Sequence, residues 1–277
     1  MRMESLPPFG PSLKKLGGSQ KSRQDGIKII KNLCIEKIPE SHAACEEYRK
    51  REAYPSFAFN ELDIGYVLLR GQFANISEIC SFKAKGTPGS VYKHKPQKPI
   101  DFQNTAAIQE DEDRFDELVP EAGKANVMVQ KAFLGANSIR VDGSTRFAVK
   151  TLKDEVVSNN ESFLYGLQAL AMERSILSRM NHPNIVKVRA VSRVDAFSDY
   201  SFFVIDRLYE TMEHRLDIWD HAIQGTSQKS KWEDPCYLEK IVIMYDLAEA
   251  LVYLHKKKIV HRLINTHCLG FNVVRKT

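Results

Sequence analysis

Lys150 and Glu173 are two opposite charges in apolar settings. Lys150 closes the run Phe147-Ala148-Val149, and strand alternation puts Ala148 and Lys150 on the same face. A lysine on a core-facing side needs an anion, because an unpaired buried ammonium is costly. The small Ala148, two positions earlier, leaves room for a flat ligand. Leu170, Glu173, Leu177 and Met180 follow helical spacings, which set the carboxylate in an apolar stripe. A glutamate there calls for a cation, and Lys150 is the candidate. In the bland alternative the lysine stem reaches water, the glutamate sits at the stripe's edge, and both are solvated. Each residue taken singly fits that alternative. Taken with the spacing and with the turn that follows, the paired reading prevails.

Several elements must position this pair. Thr145 to Leu152 reads as a strand and Ser162 to Met180 as a helix. In His182-Pro183-Asn184-Ile185-Val186 the proline stops the helix, the asparagine turns, and Ile-Val starts the next strand. Ile185 to Val191 and Phe202 to Leu208 are strand-like. Upstream, Ile64, Val67, Leu68 and Leu69, then Phe73, Ile76 and Ile79, suggest two strands joined around Gly71. Tyr237 to His255 carries the strongest helical pattern, with Leu238, Ile241, Tyr245, Ala248 and Val252 along one face. Residues 1–56 read as a largely disordered tail, with short helices suggested near Ile27 to Leu33 and Ala43 to Arg51. Residues 81–140 read as an insertion, mostly disordered over 81–120 where the acidic run Glu110-Asp111-Glu112-Asp113 falls, with a short helix over 124–138.

Composition narrows the function classes. With 43% apolar and 27% charged residues, the 277-residue chain has the make-up of a globular protein. Its net charge of +5 comes from interleaved signs, which disfavours nucleic acid as a partner. Cys34, Cys45, Cys80, Cys236 and Cys268 are widely spaced and form no Cys-x-x-Cys pair. That argues against a disulfide framework or a zinc site and for cytoplasm or nucleus. No signal-like N-terminus and no long apolar run are present, so no membrane partner is expected.

Phe147-Ala148-Val149-Lys150, Glu173, His182-Pro183-Asn184-Ile185-Val186 and then His261-Arg262 form an ordered set. It resembles the ATP-binding half of a eukaryotic-type Ser/Thr protein kinase domain, most specifically from about 145 to 210 and again from 236 to 262. The resemblance implies an α+β fold. Its β-rich nucleotide-binding lobe, with one key helix, would span 57–210, and a helical lobe would begin over 211–277. It implies that Glu173 holds Lys150 against the α- and β-phosphates of ATP bound with Mg2+.

The Gly-rich turn of that family would fall in Leu68-Leu69-Arg70-Gly71-Gln72-Phe73-Ala74-Asn75-Ile76. Only Gly71 is a glycine; Leu69 and Ala74 replace the other two. Phe73 would be the aromatic tip, and Ile76 would cover the adenine together with Ala148. An ordinary hairpin glycine is the competing reading. By the same resemblance Ile205 is the gatekeeper, and the backbone of Asp206 and Leu208 bonds adenine. A simple buried strand explains those residues equally well.

After His261-Arg262 the family's catalytic aspartate is replaced by Leu263, its lysine by Asn265, and its metal-binding asparagine by Cys268. No metal ligand is therefore assigned. Arg262 is the residue that, in the family, often meets a phosphorylated activation loop. His267 reads as a surface-loop histidine. The sequence stops at Thr277 without an Asp-Phe-Gly, which sets up the expectation of a degenerate, C-terminally truncated kinase-like domain. Such a chain would bind ATP weakly and transfer little or no phosphate. The alternatives are a functional Ser/Thr kinase whose C-terminal part is missing, and an interaction module that binds no nucleotide. Ile243, Leu247, Leu251 and Leu254 would form an exposed apolar patch open to a protein partner.

Overall fold

The computed structural model describes residues 20–37, 54–83, 105–120, 125–224 and 236–272. In chain order these form α1 (Gln20–Lys37), β1 (Ser56–Phe57), β2 (Leu62–Arg70), β3 (Ala74–Phe82), α2 (Thr105–Leu118), α3 (Val127–Ala136) and β4 (Phe147–Leu152). There follow α4 (Asp154–Ser158), α5 (Asn160–Leu177), β5 (Val188–Ser192), β6 (Phe202–Asp206), β7 (Glu210–Thr211), α6 (Met212–Gln224), α7 (Tyr237–Lys256) and β8 (Gly270–Phe271). Six strands form one mixed sheet in the order β1-β5-β6-β4-β3-β2, antiparallel except for β1 beside β5. The arrangement is the α+β, protein kinase-like fold that the sequence implies.

The sheet is covered on both faces. Ala148, Leu152 and Ile205 face Phe163, Leu164, Leu167 and Leu170 of α5. Phe147, Val149, Phe202 and Val204 face Phe115 of α2 and Leu134 of α3. Phe202, Phe203, Val204 and Ile205 are consequently all buried in succession. A strand buried on both sides reads as a continuous apolar run rather than an alternation.

Helix α2 corrects the expectation of a mostly disordered insertion over 81–120. Residues 84–104 lie outside the described residues, but 105–118 are helical. Phe115 buries itself there against Phe133 and Phe147, with ring centroids 5.4 and 5.8 Å away. The N-terminal tail is corrected as well. One helix runs from Gln20 to Lys37, and its Ile30 is fully buried in the α5 core. Arg23 Nη1 ties it down by donating to the Val157 carbonyl at 3.0 Å. The second suggested helix, Ala43 to Arg51, lies outside the described residues.

Helix α7 forms where the periodicity put it, but its faces are reversed. Leu254 is buried and Ile243, Leu247 and Leu251 are half-buried, so the expected open patch faces inward. Leu238, Ile241, Tyr245 and Val252 are the exposed ones. The turn after α5 fixes this orientation: the Asn181 N–H donates to Tyr253 Oη at 2.9 Å, and Asn184 Nδ2 donates to the Asp246 carbonyl at 3.1 Å.

Candidate functional site

Strand register brings the predicted site residues together. Lys150 lies opposite Ile76 of β3, and Ala148 lies opposite Ile205 of β6. Opposed residues in a sheet share a face. Ile76, Ala148, Lys150 and Ile205 therefore form one surface, with α5 against it. Lys150 Nζ sits 2.6 Å from both carboxylate oxygens of Glu173. The side chains are 20% and 39% exposed, so the pair sits at the edge of the apolar stripe and opens to solvent. Leu170 of that stripe is buried and Leu177 is packed against the core, whereas Met180 lies past the end of the helix.

Helix α5 is placed by its ends and by one glycine. Asn159 caps its start, accepting from the Ser162 N–H at 2.9 Å. At Gly166 an added Cβ would lie 3.0 Å from Val156 Cγ1 and 3.2 Å from Phe73 Cβ. That close approach lets α5 press against the β2–β3 turn. Phe73, expected as the aromatic tip of that turn, is half-buried and close to α5. In the same turn the Gly71 N–H donates to the Ala74 carbonyl at 2.8 Å, and a Cβ on Gly71 would meet that oxygen at 3.0 Å. The glycine is thus needed for the tightness of the hairpin.

The segment after β6 is held from behind. Asp206 accepts from Arg189 Nε at 2.7 Å and from Arg189 Nη2 at 2.9 Å. The Arg207 carbonyl accepts from Arg140 Nη2 at 2.6 Å. Arg207 Nη1 donates to Glu78 Oε2 at 3.0 Å and to the Thr145 hydroxyl. Burial, and the Arg140 charge beside it, push Arg207 below the ordinary arginine range, against the pull of Glu78. Arg189 is raised: burial would lower it, but Asp206 and Asp116 outweigh burial. Leu208 is partly exposed and rests against Gly270, where an added Cβ would lie 2.7 Å from Leu208 Cδ1.

Arg140, Arg146, Arg189 and the α2 carboxylates paired with them are not singled out by the sequence. Their signal is faint: Asp111 and Phe115, and Glu112 and Asp116, recur at a spacing of four on one side of a helix.

Residues 261–264 after α7 are exposed, before the chain packs back at β8. Arg262 is exposed with φ of 66°, and Leu263 is 56% exposed. Asn265 does local structural work: its Oδ1 accepts from the N–H groups of His267 and Cys268 at 3.0 Å each. His267 Nδ1 lies 3.0 Å from Glu213 Oε2, and Cys268 is an exposed free thiol. Among the described residues no group of three or more His, Cys, Asp or Glu is placed to hold a metal ion. No helix among them is long and apolar enough to cross a membrane.

Residues 136–267 match the family model described as the protein kinase domain. The match begins after the β2–β3 hairpin and takes in Lys150, Glu173, the β6 segment and Leu263. An Aurora kinase of Candida glabrata is 30% identical over 127 residues, which is 44% of this chain and 31% of that protein. The chain thus spans about a third of the length of that relative.

Proposed function

Since this chain carries a protein kinase-like domain, we propose that it binds ATP and transfers little or no phosphoryl group, as a pseudokinase. The Lys150–Glu173 contact carries this reading. An ammonium has three donors. Two meet Glu173, and the third serves the α- and β-phosphates of a nucleotide. In this reading adenine lies against the half-buried Ile76, with Ala148 and Ile205 buried beneath it, and the Asp206 and Leu208 backbone is its hydrogen-bonding edge. The Gly71 turn lies over the phosphates in this reading, and Phe73 within it rests against α5 at Gly166.

The chemical step lacks its parts. Leu263 has no proton to exchange where the family places its base, and a general base is worth on the order of 10²–10⁴ in rate. Asn265 cannot neutralise a transferred phosphoryl group, and its side chain is committed to capping the next turn. Cys268, in place of asparagine, is a poor ligand for Mg2+, which prefers oxygen. The donor set does not fit a protein-held metal, so Mg2+ would travel with the phosphates and affinity would be weak.

Thermal unfolding with and without Mg-ATP tests the reading. At tenfold excess over Kd, a ligand stabilises the folded chain by about 1.4 kcal/mol. For a domain of this size that is a rise of roughly 3–5 °C. The rise is expected in the wild type and absent in Lys150→Ala. No shift in the wild type would sink the nucleotide claim. Phosphate transfer to a generic substrate that disappears in Lys150→Ala would sink the pseudokinase claim.

A further inference from the structure

We propose that α2 is a brace for the nucleotide-binding edge, holding residues 206–208 so that undocking the helix weakens nucleotide binding. The proposal deepens the nucleotide-binding reading above and rests on it. Two parallel chains of contacts carry it. In the first, Glu112 Oε1 accepts from Arg140 Nε at 2.7 Å, and Arg140 donates onward to the Arg207 carbonyl at 2.6 Å. In the second, Asp116 Oδ1 accepts from Arg189 Nη2 at 2.9 Å, and Arg189 grips both oxygens of Asp206. Each chain starts on α2 and ends on the β6 segment.

The helix is anchored between the two chains. Phe115 is buried, with the guanidinium carbons of Arg146 and Arg189 lying 4.5 and 5.0 Å from its ring centroid. Arg146 adds ion pairs to Glu112 and Asp111. The side chains of Arg140 and Arg146 are only 1% and 2% exposed. Buried guanidiniums need their counter-charges, because a charge left unpaired out of water is strongly destabilising. Among the described residues the carboxylates paired with these two come from α2. Docking of α2 is therefore coupled to the placement of Arg140, and through it to the Arg207 peptide.

Asp116→Asn and Glu112→Gln in the full chain remove the counter-charges while keeping the side-chain shapes. Hydrogen exchange of amides 205–209 and Mg-ATP affinity are read on the same samples. Faster exchange over 205–209, with unchanged exchange in α7 and an affinity loss of about tenfold, is the expected result, since a hydrogen bond to a charged group is worth about that factor. Unchanged exchange over 205–209 in Asp116→Asn overturns the brace. Faster exchange with unaltered affinity overturns its bearing on the nucleotide. If Glu112→Gln also speeds exchange in α7, it has unfolded globally, and Asp116→Asn decides because its carboxylate is half-exposed. Should the wild type bind no Mg-ATP, the nucleotide reading and the affinity half of the proposal fall together. The exchange data then still decide whether α2 braces the segment.

Discussion

Glu173 separates a role in the site from a role in stability. Its carboxylate is 39% exposed, and exposed ion pairs contribute about 0–1 kcal/mol to folding. Glu173→Gln is therefore expected to lower the denaturation midpoint by less than about 1 kcal/mol equivalent. The same substitution frees Lys150 from its fixed position and should remove most of the Mg-ATP-dependent rise in melting temperature. A large stability loss in the absence of nucleotide would mean that the pair is a structural contact instead. This pair was legible in the sequence because both halves obey local rules, strand alternation for Lys150 and helical spacing for Glu173. Phe73 was not legible: its position depends on Gly166, which is far along the chain and whose missing side chain makes the space.

At the scale of elements, the sheet holds the site through helices on both faces. Helix α1 presses on α5, the helix that carries Glu173, through the fully buried Ile30. Ile30→Ala is expected to cost about 2–5 kcal/mol if α1 stays docked. If α1 lets go instead, limited proteolysis should cut within 20–37 before the rest of the domain unfolds. A variant as stable and as protease-resistant as the wild type would contradict the packing.

Strands β2 to β6 are legible in their apolar runs, whereas β1, β7 and β8, two residues each, are not; the apolar runs also hold the clue to α2. Phe147-Ala148-Val149 and Phe202 to Ile205 do not alternate, as strands facing solvent on one side would. Something had to cover the second face. The helix over Val127–Ala136 that covers part of it is legible, but α2 beside it is hidden because an acidic run looks like a solvated surface. Its partner arginines lie 28 and 34 residues away from Glu112, and 73 from Asp116. No local pattern reports pairings at that separation.

At the scale of the whole molecule, α7 shows what periodicity could not decide. The helix is apolar on more than one side, so spacing alone does not say which side faces in. The contacts of Tyr253 and Asp246 with the turn after α5 make that choice. They leave Ile241 and Met244 at 49% and 68% exposure beside Tyr245 and Val252. A shallow groove of about 440 Å³ follows, lined by His182, Tyr245, Val252, Tyr253 and Lys256, and it includes none of the proposed nucleotide contacts. Contiguous exposed apolar surface promotes association. Replacing Ile241 and Met244 with glutamine should reduce concentration-dependent light scattering and change stability by less than about 0.5 kcal/mol. Scattering that stays the same would show that this face does not drive association.

The central claim is nucleotide binding without transfer, and phosphorus NMR of the chain with Mg-ATP reads both halves in one sample. The account predicts that the ATP phosphate resonances shift or broaden as wild-type protein is added. It predicts that they do not respond to Lys150→Ala, and that no ADP or phosphoprotein signal grows with time. ATP resonances unperturbed by the wild type, or steady conversion to ADP that requires Lys150, would contradict it.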